Sequence, residues 1–235
     1  MAPAPRRFGL IPAAGESARF GGALPKQYAL LAGLPVLHQT IRALNESIPL
    51  DVLFVVLARG DAHYAQSVGP LPGVVPLYCG GRTRAESVLN GLTAIGEHAA
   101  PEDWILVHDA SRPCVDVATL HRLLNELEDE PVGGLLAIPL ADTLKRAETG
   151  AGLRVASTED RTGLWCAQTP QMFRYAILLE ALRKADGKAI TDEAQAIEAL
   201  GVKPRLVLGS PANIKLTYGE DLDLAEAILA RRTRR

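Results

Sequence analysis

The sequence predicts an α/β protein with a doubly wound, mostly parallel open sheet. Short apolar runs alternate with longer segments of helical periodicity, which is typical of β-α-β units with right-handed crossovers. The runs are apolar almost throughout, as expected for parallel strands that helices cover on both faces. The length of 235 residues fits one large domain, and we expect residues 1–235 to form it.

The apolar runs and the periodic segments place the individual elements. Five buried strands are predicted at residues 8–13, 52–57, 74–78, 104–108 and 134–138. Apolar residues at i, i+3 and i+4 spacing predict helices at residues 36–45, 84–95 and 117–127. Later helices are predicted at residues 174–184, 192–200 and 220–232, with a strand at 205–208 before the last of them.

The alternation of strands and helices stops after Pro139. Residues 141–160 are polar, contain Gly150 and Gly152, and lack a helical stripe. We interpret this segment, at about residues 139–163, as a protruding β-arm of the hairpin type that provides a dimer contact. A surface loop without regular structure is the alternative, since long loops are usually functional or disordered.

Composition and charge exclude several classes of protein. Hydrophobic residues make up 48% and charged residues 22%, as in ordinary globular domains, so a disordered chain is excluded. The 25 Lys+Arg and 27 Asp+Glu residues give a net charge of −2, which argues against a nucleic-acid partner. Since no apolar run approaches the roughly 18 residues of a membrane span, we expect no membrane contact.

The three cysteines, Cys79, Cys114 and Cys166, lie far apart and form no CxxC pattern. A disulfide framework or a zinc site is therefore not expected. We expect Cys114 and Cys166 to be buried small apolar residues. Because the N-terminal segment also lacks the apolar run of a signal peptide, the sequence predicts a cytoplasmic protein.

The segment PAAGESARFGGALPKQY (residues 12–28) follows the first predicted strand directly. Ligands of open α/β sheets bind outside the carboxyl ends of the strands, so this loop is the expected binding site. The small residues 13–15 let backbone N–H groups approach a nucleotide, and Arg19 and Lys26 supply two cations for a triphosphate. The P-loop pattern is absent and GxGxxG fails at Ser17, so an ordinary P-loop or dinucleotide site is disfavoured.

His108 and Asp109 end the buried strand that is predicted at residues 104–108. A carboxylate at this edge of the sheet suits substrate hydroxyl groups or Mg²⁺, which prefers oxygen ligands and often binds beside substrate phosphates. Capping of the next turn is the alternative role of Asp109. We expect Arg112 to hold Asp109 or a phosphate, and His108 to be a packed, hydrogen-bonded histidine.

The loop at residues 12–28 resembles the signature loop of 2-C-methyl-D-erythritol 4-phosphate cytidylyltransferases, and six further segments agree in order and spacing. They are GGRTRAESVLNGL (80–92), VHDASRPC (107–114), DTLKR (142–146), DRTGLWCAQTPQ (160–171), ITDEA (190–194) and NIKLT (213–217). Ser17 departs from the pattern, since relatives commonly have glycine there. The resemblance covers nearly the whole chain and implies a Rossmann-like nucleotidyltransferase fold whose arm serves dimerisation.

The resemblance implies a reaction of CTP with 2-C-methyl-D-erythritol 4-phosphate in the non-mevalonate isoprenoid pathway. A phosphate oxygen of this acceptor attacks the α-phosphorus of CTP, and pyrophosphate leaves. Because negative charge accumulates on the non-bridging oxygens, fixed cations should stabilise the transition state. By resemblance, Arg19 and Lys26 have this catalytic role. The implied cofactor is Mg²⁺ or another divalent cation, with Asp109 as a direct or indirect ligand.

The resemblance also assigns the binding residues of both substrates. CTP is expected to contact Pro12, Ala13, Ala14, Gly15, Gly81, Arg82, Ser87, Asp109 and Lys215. The acceptor is expected to contact Asp109, Arg112, Thr143, Arg161, Thr169, Thr191, Asp192 and Lys215. Arg161 follows the arm and in relatives reaches the site of the partner subunit, so a homodimer is expected with each active site completed across the interface.

Three alternative functions remain open at this point. The same fold and loop serve cytidylyltransferases of ribitol 5-phosphate or other sugar phosphates. A regulatory module that binds CTP without releasing pyrophosphate is a second alternative, although such a module has no need of residues for both substrates. A nicotinamide-dependent oxidoreductase is a third, which the failure of the GxGxxG pattern weakens.

Overall fold

The computed structural model describes residues 4–15, 24–150, 152–185 and 189–233 of the chain. The strands of these ranges are β1 (Arg7–Pro12), β2 (Leu30–Leu31), β3 (Leu34–Pro35), β4 (Val52–Val56), β5 (Val74–Leu77), β6 (Trp104–Val107), β7 (Gly133–Pro139), β8 (Leu144–Ala147), β9 (Val155–Glu159), β10 (Trp165–Arg174) and β11 (Arg205–Leu208). The α-helices are α1 (Val36–Asn45), α2 (Tyr64–Ser67), α3 (Arg84–Ala94), α4 (Val117–Leu127), α5 (Tyr175–Lys184), α6 (Glu193–Glu198) and α7 (Asp221–Thr233).

Seven of these strands form the central sheet, in the order β11-β7-β10-β6-β1-β4-β5. β10 runs antiparallel to both of its neighbours, and the other neighbouring strands pair in parallel. The structure therefore confirms the mostly parallel open sheet. The chain proceeds from β1 to β4 and β5 on one side and returns to β6 on the other. This reversal creates a topological switch point between β1 and β6, where ligands of such sheets bind.

Helices cover both faces of the sheet, which confirms the doubly wound arrangement. α1 and α4 pack on one face, where Ile41 and Leu123 belong to one buried apolar cluster. α3, α5 and α6 pack on the other face, where Leu92 and Leu178 belong to a second cluster. α7 packs apart from these two groups, against β2 and the start of α1, through Ala225.

Polar caps in the sequence fix where three of the helices begin. The side chains of Thr83, Asp116 and Asp192 each accept a hydrogen bond from a backbone N–H three residues further on. This contact satisfies a donor that the first helical turn leaves without a partner. The helices α3, α4 and α6 therefore start directly after these residues.

The strand β10 is an element that the sequence analysis did not predict. Its central residues include Gln168, Thr169 and Gln171, which are polar but buried. An apolar run or a period-two alternation is the usual signal of a strand, and these polar residues and Pro170 interrupt it. These polar side chains can be buried because they hydrogen-bond to other segments of the chain.

The segment after Pro139 forms the expected hairpin. β8 and β9 pair antiparallel in a two-stranded sheet of their own, and their side chains are mostly exposed. Leu153 in the turn is 95% exposed, and Val155 is 60% exposed. The structure thus confirms the hairpin arm, while its contact with a second subunit stays a prediction.

The two cysteines that we expected to be buried differ in their exposure to solvent. Cys114 is fully buried against α7, as expected. The expectation for Cys166 is wrong, because this residue is exposed. It is the second residue of β10, and the first three residues of this strand, next to the arm, are exposed. Within the described ranges, no helix is long and apolar enough to cross a membrane.

The close approach of β10 to β7 depends on Gly133, which gives a test of the sheet. Gly133 has a φ of +109°, and a Cβ there would lie 2.2 Å from the backbone oxygen of Met172. We expect Gly133→Ala to lower the free energy of unfolding by about 3 kcal/mol, because strain and a backbone clash add. Gly219→Ala is the matched control, since a Cβ at Gly219 meets no atom within 4 Å. Urea unfolding measures both, and equal stabilities would contradict this packing.

Candidate active site

A cavity of about 580 Å³ lies at the switch point, outside the carboxyl ends of β1 and β6. All nine residues that were predicted to contact CTP line this cavity, together with Lys26. They come from the loops after β1 and β6, from the start of α3 and from the segment before α7. Parallel strands end at the same edge of a sheet, which is why residues so distant in sequence meet here.

A second cavity, of about 980 Å³, lies between α1, the loop before α4 and the end of α7. It is larger, but its walls carry none of the predicted site residues. It also lies away from the carboxyl ends of β1 and β6. The smaller cavity is therefore the candidate active site.

Residues 13–15, which directly follow β1, are anchored by Gln27, a residue that the sequence analysis did not single out. Its side-chain amide donates hydrogen bonds to the carbonyl oxygens of Ala13, at 2.9 Å, and Gly15, at 3.3 Å. Gln27 is 5% exposed, so these bonds form inside the protein. This anchor fixes the backbone of residues 13–15, which line the cavity.

Of the two predicted catalytic cations, one lies within the described ranges. Lys26 begins a 3₁₀ turn, Lys26–Tyr28, and its Nζ donates to the carbonyl oxygen of Leu216 at 3.1 Å. This contact places the ammonium group on the cavity wall. Arg19 and Ser17 lie outside the described residues, so the role of Arg19 stays a prediction.

The carboxylate of Asp109 is the centre of the charges in the cavity. Its Oδ1 accepts from Arg84 Nε at 2.8 Å, its Oδ2 pairs with Lys215 Nζ at 2.8 Å, and Arg112 Nε lies 3.7 Å from Oδ2. Burial alone would raise the pKa of Asp109, but Arg84 and Lys215 outweigh it and hold the pKa well below its usual range. Asp109 is therefore ionised at neutral pH and fixed in place by cations from three segments of the chain.

Arg84 and Glu193 are two further residues of this charge network that sequence reasoning missed. Arg84 Nη1 and Nη2 donate to the two carboxylate oxygens of Glu193, at 2.6 and 2.9 Å. Glu193 is completely buried. Both residues lie in segments that carry the family resemblance, GGRTRAES and ITDEA, which is the signal that was available. Their burial depends on tertiary contacts and cannot be read from a local pattern.

His108 behaves as expected, as a buried and hydrogen-bonded histidine. Its Nε2 lies 3.0 Å from the carbonyl oxygen of Arg112, and its Nδ1 lies 3.0 Å from Thr169 Oγ1. A carbonyl oxygen can only accept, so Nε2 carries the proton and Nδ1 accepts from the hydroxyl of Thr169. Burial lowers the pKa of His108 to about 4, so the ring is neutral at pH 7.

The hydroxyl group of Thr169 connects β10 to the end of β6. It donates to His108 and accepts from the backbone N–H of Asp109 at 3.0 Å. Its proton is thus engaged within the protein, and Thr169 is 4% exposed. The structure gives Thr169 a supporting place behind Asp109, while its predicted contact with the acceptor stays a prediction.

The remaining residues predicted for the acceptor lie in three places. Arg112 is mostly buried beside Asp109, and its Nη1 donates to the carbonyl oxygen of Asn213 at 2.6 Å. Thr191 and Asp192 lie at the start of α6, next to Glu193. Thr143 and Arg161 lie exposed at the base of the arm, outside the cavity of their own chain.

Comparison with known proteins supports the whole-chain resemblance. Residues 8–231 match the family model described as IspD: 2-C-methyl-D-erythritol 4-phosphate cytidylyltransferase. Proteins of this name from Azoarcus sp. (strain BH72) and Nitrosospira multiformis are 51% identical over 233 residues and 52% identical over 226 residues. The first alignment covers 97% of this chain and 96% of the relative, and the second covers 94% and 97%.

Solved structures agree with these relatives. A crystal structure of 4-diphosphocytidyl-2C-methyl-D-erythritol synthase superposes with a TM-score of 0.84 at 38% identity, covering 96% of this chain and 99% of that one. The 2-C-methyl-D-erythritol 4-phosphate cytidylyltransferase of Francisella tularensis superposes with a TM-score of 0.81 at 32% identity, covering 95% and 99%. The sheet topology and the cavity at its switch point define an α/β nucleotidyltransferase. The chain belongs to the 2-C-methyl-D-erythritol 4-phosphate cytidylyltransferase family.

The neutral, buried state of His108 predicts a pH dependence of stability. The pKa of His108 is about 4 in the folded protein and near 6.5 when free, so the unfolded chain binds more protons between these values. We expect the free energy of unfolding to fall by about 2 kcal/mol from pH 7 to pH 5 through this group. The carboxylates of Asp103 and Asp109 have lowered pKa values and lose their contribution at lower pH.

Urea unfolding at pH 7, 6 and 5 tests this pH dependence. His108→Gln removes the titrating ring, so the loss between pH 7 and pH 5 should largely disappear, whatever the variant's stability at pH 7. His121→Gln, at an exposed position on α4, is the matched control and should keep the slope of the unchanged protein. An identical slope in the His108 variant would show that another group causes the dependence.

Proposed function

We propose that this protein transfers a cytidylyl group from CTP to 2-C-methyl-D-erythritol 4-phosphate. The products are 4-diphosphocytidyl-2-C-methyl-D-erythritol and pyrophosphate, and the reaction belongs to the non-mevalonate isoprenoid pathway. The observation that carries the proposal is the switch-point cavity, which gathers Lys26, Lys215 and Asp109 with the small-residue loop at residues 13–15. The names of the relatives support this choice of substrates over ribitol 5-phosphate.

The chemistry requires positioned cations and does not require a general base. A phosphate monoester has its second pKa near 6, so the acceptor phosphate is already largely dianionic at pH 7. Its oxygen attacks the α-phosphorus of CTP, and the bond to pyrophosphate breaks. Charge grows on the non-bridging oxygens, where Lys26, with Arg19, stabilises it electrostatically.

Main-chain groups of the loop before α3 are our candidates for recognising the cytosine. The hydroxyl of Ser87 accepts from the N–H of Gly81 at 3.1 Å and donates to the carbonyl oxygen of Thr83 at 2.9 Å. Ser87 therefore fixes the conformation of this loop through its hydrogen bonds. The side chain of Arg82 points to solvent and is 95% exposed. The edge of the base then meets the backbone of residues 81–83, which also line the cavity.

The site fits a divalent cation that the nucleotide itself holds. Among the described residues that line the cavity, Asp109 is the one carboxylate, and Arg84 and Lys215 already contact its two oxygens. Within the described ranges, no group of three or more His, Cys, Asp or Glu side chains could hold a metal. Mg²⁺ is often bound by one carboxylate together with substrate phosphates, and it would neutralise charge on the triphosphate. Asp109 would be its direct or indirect protein ligand.

A homodimer completes the active site in this proposal. The arm and its base expose apolar side chains, with Leu153 95%, Val155 60%, Leu164 46% and Trp165 40% exposed. An isolated two-stranded hairpin is at best marginally stable in water, and packing on a second subunit would cover these groups. Arg161 and Thr143 lie at the base of the same arm, so the arm would bring them to the acceptor site of the partner subunit.

The composition supports the proposed compartment and argues against a nucleic-acid partner. Cys79, Cys114 and Cys166 are free thiols, which suits a reducing cytoplasm. The net charge of −2 favours small phosphorylated substrates in a local cationic pocket over a nucleic acid. We propose a cytoplasmic enzyme, and its proposed partners are those of the family: CTP, the acceptor and a second copy of the chain.

A pyrophosphate-release assay with CTP, Mg²⁺ and each candidate acceptor tests the function. We expect release with 2-C-methyl-D-erythritol 4-phosphate and much less with ribitol 5-phosphate, and mass spectrometry should show the cytidylylated product. A much better reaction with ribitol 5-phosphate would replace the proposed acceptor. Binding of CTP without any release would instead indicate a regulatory module.

Lys26→Ala tests the catalytic cation. We expect kcat to fall about one hundredfold or more, as after loss of one fixed transition-state donor, while the fold stays intact. Lys203→Ala removes an exposed lysine outside the cavity and serves as the control with unchanged kcat. Steady-state kinetics and circular dichroism measure these effects. A kcat near that of the unchanged enzyme would show that Lys26 has no catalytic role.

Mixing two impaired variants tests the shared active site. Arg161→Ala should mainly raise the KM for the acceptor, since Arg161 is proposed to bind its phosphate across the interface. In a heterodimer of Arg161→Ala and Lys26→Ala subunits, one of the two sites keeps both residues, so activity should recover in part. Absence of recovery, with subunit exchange shown by native mass spectrometry, would contradict a site shared between subunits.

A further inference from the structure

The buried carboxylate of Glu193 and the guanidinium of Arg84 form a link whose purpose the reaction chemistry does not explain. Glu193 is 0% exposed, and Arg84 donates to both of its oxygens, at 2.6 and 2.9 Å. A buried charge is costly unless it is paired with good geometry, and a hydrophobic pair of similar volume often serves stability equally well. A stabilising role alone is therefore a weak explanation for this pair.

Arg84 connects the link to the nucleotide side of the site. It is the first residue of α3 and lines the cavity directly after Thr83. Its Nε donates to Asp109 Oδ1 at 2.8 Å, while Nη1 and Nη2 hold Glu193. Because the guanidinium is planar and all three nitrogens are engaged, its plane is fixed relative to both carboxylates.

Glu193 connects the link to the loop that precedes α6. It directly follows Asp192, which caps α6 by accepting from the N–H of Gln195 at 3.0 Å. Gln171 of β10 fastens the same turn, since its amide donates to Asp192 Oδ2 at 2.9 Å and accepts from the N–H of Ala194 at 2.8 Å. The loop at residues 189–192 is thus fixed to β10 by Gln171 and to the nucleotide cavity by Arg84.

We propose that Arg84 and Glu193 are positioning residues that hold the loop at residues 189–192 against the nucleotide cavity and thereby couple the binding of CTP to the placement of the acceptor. This inference rests on the proposed function, in which Thr191 and Asp192 of the loop contact the acceptor. Glu193 touches neither substrate and acts through Arg84.

The charges of the network predict that neutralising Glu193 affects the two substrates differently. Three cations, Arg84, Arg112 and Lys215, surround two anions, Asp109 and Glu193, which leaves one net positive charge. Neutralising Glu193 adds a second net positive charge beside the nucleotide, so the affinity for CTP should not weaken. The loop at residues 189–192 would lose its anchor to the cavity, so use of the acceptor should suffer.

Glu193→Gln tests this difference between the two substrates, because it keeps the size of the side chain and removes its charge. We expect kcat/KM for the acceptor to fall about tenfold to one hundredfold, with the KM for CTP unchanged or lower. Glu193→Asp keeps the charge, and the smaller loss expected for it measures rescue by the conservative residue. Glu198→Gln on the exposed side of α6 is the matched control and should leave every constant unchanged.

A purely structural role would give a different result. It would lower the folded fraction and kcat in proportion, with both KM values unchanged, and this outcome would overturn the proposal. Unchanged kinetics in a folded Glu193→Gln variant would overturn it as well. If Glu193→Gln does not fold, the same KM comparison in Glu193→Asp decides.

Hydrogen–deuterium exchange separates this inference from the proposed function. In the full-length protein, CTP should slow exchange at residues 189–195, and this effect should be absent in Glu193→Gln and in Arg84→Lys. A wild-type protein that shows this coupling but releases no pyrophosphate would refute the proposed function alone. A wild-type enzyme that turns over normally while CTP leaves exchange at residues 189–195 unchanged would refute the coupling alone.

Discussion

The buried carboxylate of Asp109 is the constraint on which the rest of the site depends. Removing a charge from water costs several kcal/mol unless partners compensate it, and this cost is met by cations from separate segments. Arg84 comes from the start of α3, Arg112 from the loop after β6, and Lys215 from the segment before α7. One ionised side chain thus fixes the relative positions of the walls of the cavity.

The sheet explains why these segments meet at Asp109. β1 and β6 are parallel neighbours, so the loops that follow them open at the same edge, and the chain reverses its direction of progress between them. The antiparallel strand β10 enters this edge from the other direction. It delivers Thr169 to His108 and the backbone of Asp109, and Gln171 to the start of α6. The groups on the nucleotide side and on the acceptor side of the site are therefore supported by one buried hydrogen-bond network. The charged side chains around Asp109 and Glu193 carry one net positive charge, which suits a triphosphate.

Much of this arrangement could be predicted from local sequence patterns. The bounds of α1 and α4 agree with the predicted residues 36–45 and 117–127, because amphipathic spacing is a strong signal over ten or more residues. The residues that the resemblance assigned to CTP gather in one cavity because most of them lie after β1, β5 or β6, at the carboxyl edge of the sheet. The helix predicted at residues 192–200 is shorter at both ends, because Asp192 serves as its cap and the last turn is not helical.

The parts that sequence reasoning missed have a common physical cause. β10 lacks apolar periodicity since three of its buried side chains, Gln168, Thr169 and Gln171, are polar and have partners on other segments. Arg84 occupies the first turn of a helix, where a cation is ordinarily solvated, and Glu193 occupies a position that ordinarily interacts with the helix dipole. Only the tertiary fold buries these two side chains against each other. Long-range polar pairing carries little local signal, so it becomes visible in the structure alone.

A crystal structure of the protein with bound CTP tests the central claim most directly. The account expects the triphosphate to lie against the backbone of residues 13–15 and Lys26, with the cytosine beside residues 81–83 and the ribose near Asp109. CTP bound in the larger cavity between α1 and α7, with the cavity at the ends of β1 and β6 left without nucleotide, would contradict it.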